Sequence, residues 1–400
     1  MTADAKSIYR APLLETPFHP RIAPLNQTNE WLRWAGYTTA DCFTDLTTEY
    51  FAIRHAATLY DVSPMVKYRI AGPDAERFTN RLLTRDVRKL KPGRVAYTVW
   101  CDDNGKVLDD GTVFRFGESE YRLCAQEHHL AWLQDSAIGF DVTIEDVTAA
   151  VAGLALQGPL SCAVLKALGL DGIADLKPFG IAGFDFAGAP LTVSRTGFTG
   201  DLGYELWIDP AQALDLWDGL IAAGDLYRLT PIGSRALNLA RIEAGFIQTN
   251  TDFMAADHAV RPTRPRSPFE LGLDWLVDFD KGQFIGRRAL LRERETGPRY
   301  RLVGLDIEGS KPAHDALIYH NHRLSRRVGM VTSAMWSPTA KRNIALATLD
   351  AVAAERTDGL WAEIYVNKEM KWEKTVARCR IVARPFFDPP RRRATPAPNC

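Results

Sequence analysis

The sequence predicts an α+β chain whose C-terminal part is all β, and three observations carry that prediction. A strand–Gly-Pro–helix pattern occurs twice, from Val66 to Leu83 and again from Gly153 to Leu168. Between the two lies a run that reads as strands without a helix. From about Arg299 the chain is strand-rich almost to its end.

Residues Val66 to Ala71 alternate apolar and charged, as a strand with one wet face does. Gly72-Pro73 follows, and the next residues carry apolar side chains at helical spacing, with Pro73 near the first turn. The second pattern repeats this with Gly158-Pro159, so the pair reads as two related βα modules. The stretch between them is a meander with turns at Asn104-Gly105 and Gly117-Glu118-Ser119. Asp209-Pro210 opens a helix as N-cap and first residue; Leu214, Trp217, Leu220 and Ile221 form its apolar stripe, and Gly224 ends it. A further helix is expected from about Ser234 to Ala244. Ala255 to Pro268, rich in proline and arginine, should be an irregular surface loop. Turns at Glu308-Gly309, Asn321-His322 and Lys368-Glu369 divide the C-terminal strands of an all-β or barrel domain. The expected organisation is an N-terminal extension (1–50), an α+β region (51–298), the β-barrel domain (299–388) and a frayed tail (389–400), whose arginines can reach back to an anion.

Composition narrows the function. The chain has 400 residues, 46% apolar and 24% charged, enough to bury more than one core and too apolar for a disordered protein. Lysine plus arginine equals aspartate plus glutamate at 49 each, which excludes a duplex-coating or polybasic membrane-binding protein. No apolar run approaches a spanning helix, and the first residues lack a signal-peptide core, so a soluble cytoplasmic protein is expected. Cys42, Cys101, Cys124, Cys162, Cys379 and Cys400 lack C-x-x-C spacing and read as buried or incidental thiols rather than disulfides or zinc ligands. The adjacent His128 and His129 should face opposite ways. No metal-protease, calcium-loop or P-loop motif is present.

Two acidic positions stand out. Asp109-Asp110 sits within a strand, so one carboxyl faces solvent or a partner while the other points into the fold, where it needs a partner or a ligand. Glu205 sits in the apolar strand YELWI after a hairpin with three glycines in seven residues, a shape that allows close backbone approach to a flat ligand.

The segment SRTGFTGDLGYEL resembles the R-T-G-Y-T-G-E-x-G-Y-E signature of the glycine-cleavage T-protein (aminomethyltransferase) family. LYDVSPM, NGKVLDD, ALQGP, RIEAG, SPFELGLDWLV, FIGRRAL and VGMVTSAMWSPTAKRNIALA also fall in that family's order. The resemblance implies a three-domain fold around a central folate hole and a tetrahydrofolate-dependent one-carbon transferase. By it, Asp110 is the catalytic carboxylate and Glu205 holds the pterin's donor edge. Tyr97, Phe114, Phe198 and Phe246 are the aromatic lining, Gln126 the polar residue of the following strand, and Arg392 the arginine meeting the folate tail.

Departures from the family pattern shift the expected substrate. Pro64 stands for a histidine, Leu237-Asn238 for Arg-Asp, and the Pro/Arg loop lengthens the chain before SPFELGL. These point to a demethylase that moves a methyl group from a small sulfonium, methylamine, betaine or methoxyaryl donor to folate N5, with Trp100 among the aromatics that would cage an onium cation. The alternatives are aminomethyl transfer in glycine cleavage and folate binding without catalysis. The iron–sulfur maintenance members of the family carry a cysteine motif, and the matching stretch here, Lys281 to Arg288, has no cysteine.

Overall fold

The computed structural model describes residues 12–261, 263–356 and 359–400. Leu14–Glu15, Tyr37–Cys42 and Glu30–Trp34 form a small three-stranded sheet. Helix Leu46–His55 follows, its N-terminus capped by Asp45, which accepts from the Thr48 amide at 2.8 Å.

The two βα modules seed two different sheets. Strand Val66–Ala71 lies in a five-stranded sheet with the meander strands Arg94–Cys101, Val107–Arg115 and Glu120–Ala125, and with Thr143–Asp146 at its edge. Strand Ala152–Gln157 lies in a six-stranded sheet between Gly203–Ile208 and Thr58–Asp61; Ala189–Ser194 and Ile181–Phe186 extend one side and Thr230–Pro231 the other. Each module then turns into a helix, Ala75–Leu82 and Ser161–Ala167. Both linking glycines need their lack of a side chain. Gly72 (φ +135°) and Gly158 (φ +120°) are left-handed, and a Cβ on them would lie 2.6 Å from Asp141 O and 2.5 Å from Ala56 O.

Apolar side chains form layers around these sheets. Leu154, Leu206, Val164 and Leu220 fill the outer face of the six-stranded sheet. Val66, Tyr68, Phe78, Trp100 and Leu123 do the same for the five-stranded sheet. Tyr60, Val95, Phe114, Cys124, Ala155 and Trp207 form a separate layer between the two. Each fully buried large side chain contributes about 1.5–3 kcal/mol, so these layers hold the sheets in place. Helices Ala213–Gly224 and Ser234–Glu243 occupy the expected stretches, the first preceded by a 3₁₀ turn that Asp209 caps. Leu214 and Ile221 are only partly buried; Ala213 and Leu216 join Trp217 and Leu220 in the buried stripe.

Strands Tyr300–Ile307, Leu317–Tyr319, Arg327–Ser337, Arg342–Asp350, Leu360–Lys368 and Lys371–Val382 close into a barrel around Leu305, Ile318, Val331 and Leu349. Closure removes the exposed edges that an open sheet would present. No described helix is long and apolar enough to cross a membrane.

Two expectations about the C-terminus and the cysteines are corrected. The tail is pinned rather than frayed: Arg391 forms a two-bond contact with Asp201 at 2.6 and 2.8 Å, Arg195 donates to Ala394 O at 2.6 Å, and the Ala397 amide donates to Ala174 O at 2.8 Å. Cys400 is disulfide-bonded to Cys162, whereas Cys42, Cys101, Cys124 and Cys379 are buried free thiols as expected. The bonded pair is 238 residues apart in sequence, so local spacing carries no trace of it.

Candidate functional site

Strand Val107–Arg115 carries the acid pair beside an irregularity: Trp100 opposes Asp109 and Cys101 opposes Val107, which leaves Leu108 as an extra residue. Beyond it, the alternation separates the two acids. Asp109 faces the helix side, beside Trp100 and His129, while Asp110 faces the inter-sheet layer with Tyr97.

Asp109 is fully buried and surrounded by donors. Its Oδ2 accepts from the amides of Gln126 and Glu127, both at 3.0 Å, and from His129 Nε2 at 3.2 Å. Its Oδ1 accepts from the Asp110 amide at 2.9 Å and meets Thr249 Oγ1 at 2.6 Å. Asp110 is only partly covered and has fewer partners: Tyr97 donates to Oδ2 at 2.7 Å, and Thr249 Oγ1 lies 2.9 Å from Oδ1. Burial, and then the neighbouring Asp109 charge, push the Asp110 carboxyl up to about 7. Burial and the Asp110 charge also raise the Tyr97 phenol well above its usual value, so it stays a neutral donor.

Glu205 lies on strand Gly203–Ile208, opposite Ala155 and Ser194 and two residues before Trp207. Thr196 donates to its Oε2 at 2.6 Å, and no lysine or arginine pairs with it among the described residues. Burial pushes its carboxyl up to about 6. An almost fully enclosed acid held only by the Thr196 and Ser194 hydroxyls retains capacity for a ligand's N–H groups.

The glycines around Glu205 make room for the protein itself. A Cβ on Gly197 or Gly203 would sit 2.0 or 2.3 Å from the Gln157 amide, and one on Gly200 (φ +72°) 2.4 Å from the Ala244 side chain. Gln157, from the A-L-Q-G-P run, donates to Thr196 O and Tyr204 O at 3.2 and 3.3 Å and accepts from Thr199 at 2.9 Å. Two motifs distant in sequence thus lock together under the acid.

The remaining candidates divide into groups. Phe198 and Phe246 stack at 5.6 Å, and the Arg392 guanidinium lies 5.0 Å from the Phe246 ring centre. Gln126 joins the acid pair through its main-chain amide. Phe114 is fully buried in the inter-sheet layer, edge-on to Trp207 at 6.0 Å, which links the acid-pair strand to the Glu205 strand. Trp100 does not belong with the proposed cage: it is fully buried on the Asp109 side, edge-on to His129. The R-I-E-A-G residues are structural. Glu243 pairs with the buried Arg54 at 2.6 Å, and Arg241 bonds Asp252 and Ser333, joining the helix to the barrel.

Sequence reasoning missed Thr249, His129 as a partner of Asp109, and Asp257 beyond it. Thr249 lies in a loop with no motif, about 140 residues from the acids it meets; only the opposite facing of His128 and His129 was legible, and indeed His128 is exposed and His129 buried.

The two sheets thus turn Asp110 and Glu205 toward the layer between them, and the closed barrel is bonded to the helix Ser234–Glu243. The chain belongs to the glycine cleavage T-protein family: the GCVT N-terminal domain matches residues 20–281 and the glycine cleavage T-protein C-terminal barrel domain residues 301–388. It is 34% identical over 352 residues to the aminomethyltransferase of Bacillus subtilis (strain 168), covering 86% of this chain and 91% of that one. It is also 34% identical over 356 residues to the trimethylamine-oxide aldolase of Ruegeria pomeroyi, covering 85% of this chain but 43% of that protein. The structure of glycine cleavage system aminomethyltransferase T from Bartonella henselae superposes with a TM-score of 0.81 at 25% identity, over 94% of this chain and 98% of that one. The family resemblance, the α+β class and the C-terminal barrel read from the sequence all agree with these matches.

Proposed function

We propose that the protein transfers an aminomethyl-type one-carbon unit to tetrahydrofolate. The observation that carries this reading is a pair of separated acids, Asp110 and Glu205, on two strands whose side chains meet in one inter-sheet layer and which lack a cationic partner among the described residues. The relatives named aminomethyltransferase support it, and so favour the reading that the sequence ranked second.

Tetrahydrofolate, when bound, supplies the nitrogen that accepts the one-carbon unit. Glu205 fits its pterin: a carboxylate with spare acceptor capacity pairs with an edge of adjacent N–H donors. Phe198 and Phe246 offer ring faces, and Arg392 beside Phe246 is a cation for the acidic tail. Asp110, with its carboxyl near 7, holds or releases a proton at working pH, and Tyr97 orients it. Asp109 faces the other way and stays out of the reaction.

A second reading, methyl transfer from a small donor, is favoured by Leu237. This side chain packs in the apolar cluster with Tyr60 and Trp34 and presents no charge to an acidic carrier. The trimethylamine-oxide aldolase relative is consistent with it.

The deciding experiment supplies tetrahydrofolate with either aminomethylated lipoyl carrier or a panel of sulfonium, betaine, methylamine and methoxyaryl compounds. Ammonia and methylene-tetrahydrofolate from the carrier support the first reading; 5-methyltetrahydrofolate from a panel member overturns it in favour of the second. Folate binding without either product overturns both.

A further inference from the structure

Thr249 touches two carboxyls with one hydroxyl. Its Oγ1 is 2.6 Å from Asp109 Oδ1 and 2.9 Å from Asp110 Oδ1. A hydroxyl has a single proton to donate. Both contacts are therefore hydrogen bonds at once only when one carboxyl carries a proton and donates it back to Oγ1. Asp109 is the poorer home for that proton, because three backbone amides and the His129 ring already donate to it. Among the described residues Asp110 Oδ1 has Thr249 alone, so the proton sits there, and Thr249 turns its own hydrogen to Asp109.

The chain of contacts continues away from the inter-sheet layer. His129 Nδ1 lies 3.6 Å from Asp257 Oδ2, an ion-pair rather than a hydrogen-bond distance, and the Asp257 side chain is partly exposed. The His129 amide donates to Tyr68 Oη at 2.6 Å, and Trp100 packs edge-on against the ring, so the imidazole has little freedom to turn. Burial alone would lower the His129 value, but Asp109 and Asp257 outweigh it and raise it to about 9. The other charged or titratable groups facing this chain are Asp252 and Tyr97 near Asp110, Arg384 near Tyr97, and His258 beside Asp257.

We infer that Thr249, Asp109 and His129 are a positioning relay that fixes where the proton of Asp110 sits and how firmly it is held, from the opposite face of the sheet. None of the three needs to touch the substrate. The inference rests on the proposed role of Asp110 as the reactive acid, but it is testable without turnover.

The test follows carboxyl titration by ¹³C NMR in protein labelled at aspartate, with Asp110→Asn identifying the Asp110 signal. His129→Gln removes a positive charge next to Asp109, so the Asp110 titration should move up by about one unit. Thr249→Val should change the Asp110 titration and lower kcat about tenfold while leaving KM for folate within about twofold; Thr249→Ser should restore both. An unmoved Asp110 titration in His129→Gln, or a serine variant as impaired as the valine one, overturns the relay. If no donor is turned over by the wild type, the functional reading fails, and the NMR titration still decides the relay.

Discussion

Asp109 and Glu205 are both buried strand acids, yet their surroundings differ in kind. Asp109 is enclosed by donors from its own strand, the turn after Glu120–Ala125, His129 and Thr249. Glu205 has only hydroxyls, Thr196 and Ser194, as side-chain partners and no counter-charge among the described residues. The first arrangement is complete and holds a fold together. The second is incomplete and leaves room for something to be held. Counting donors around an acid thus separates a satisfied carboxylate from one open to a ligand where burial alone does not, since both side chains are deeply enclosed. Asp110 falls between them, with two partners and a carboxyl raised to about 7.

The comparison can be broken most directly at the acid pair. Asp110→Asn should lower turnover at least a hundredfold without lowering the melting temperature. Asp109→Asn should instead unfold the protein more easily, by about 3 kcal/mol, because an amide placed among donors leaves them unsatisfied. Denaturant titration of both variants checks this; equal stabilities would mean the donors around Asp109 are not what they seem geometrically.

Glu205→Gln should weaken tetrahydrofolate binding tenfold or more, about 1.4 kcal/mol, with little loss of stability. Calorimetry reads the change. Binding to the wild type should also weaken as pH falls through about 6, where Glu205 gains a proton, and the glutamine variant should lose that dependence.

A further effect is on the unliganded protein. Raised carboxyl values at Asp110 and Glu205 mean the folded state holds protons that the unfolded state releases first. Their contribution is thus present below about pH 4 and lost as pH rises through about 6 to 7. Melting curves of Asp110→Asn against wild type over that window should converge at low pH and separate in the variant's favour near neutrality.

The elements legible in the sequence were those written in neighbouring residues. Alternation marked Val66–Ala71, glycine before proline marked both module turns, and spacing marked the helix after Asp209. The acids were visible because charge inside an apolar strand is conspicuous at short range. Thr249 and the Asp257–His129 pair were not, and of the Arg391–Asp201 contact only the reach of a tail arginine to an anion was, because each joins segments whose meeting depends on the whole fold. The glycine hairpin was legible in part: a close approach was inferred, and Gln157, from a strand earlier in the chain, makes one.

The Cys162–Cys400 bond closes residues 162–400 into a ring with the preceding part of the chain as a long branch, and the entire barrel lies within the ring. Scission of one peptide bond anywhere between the two cysteines, such as at the exposed Met370 in the last barrel hairpin, opens the ring without releasing a piece. Nicked molecules would run as one band on a non-reducing gel and as two after a dithiol is added. A protein clipped in this way keeps its parts at a very high effective concentration, so a cut in the barrel need not be the end of a molecule's working life.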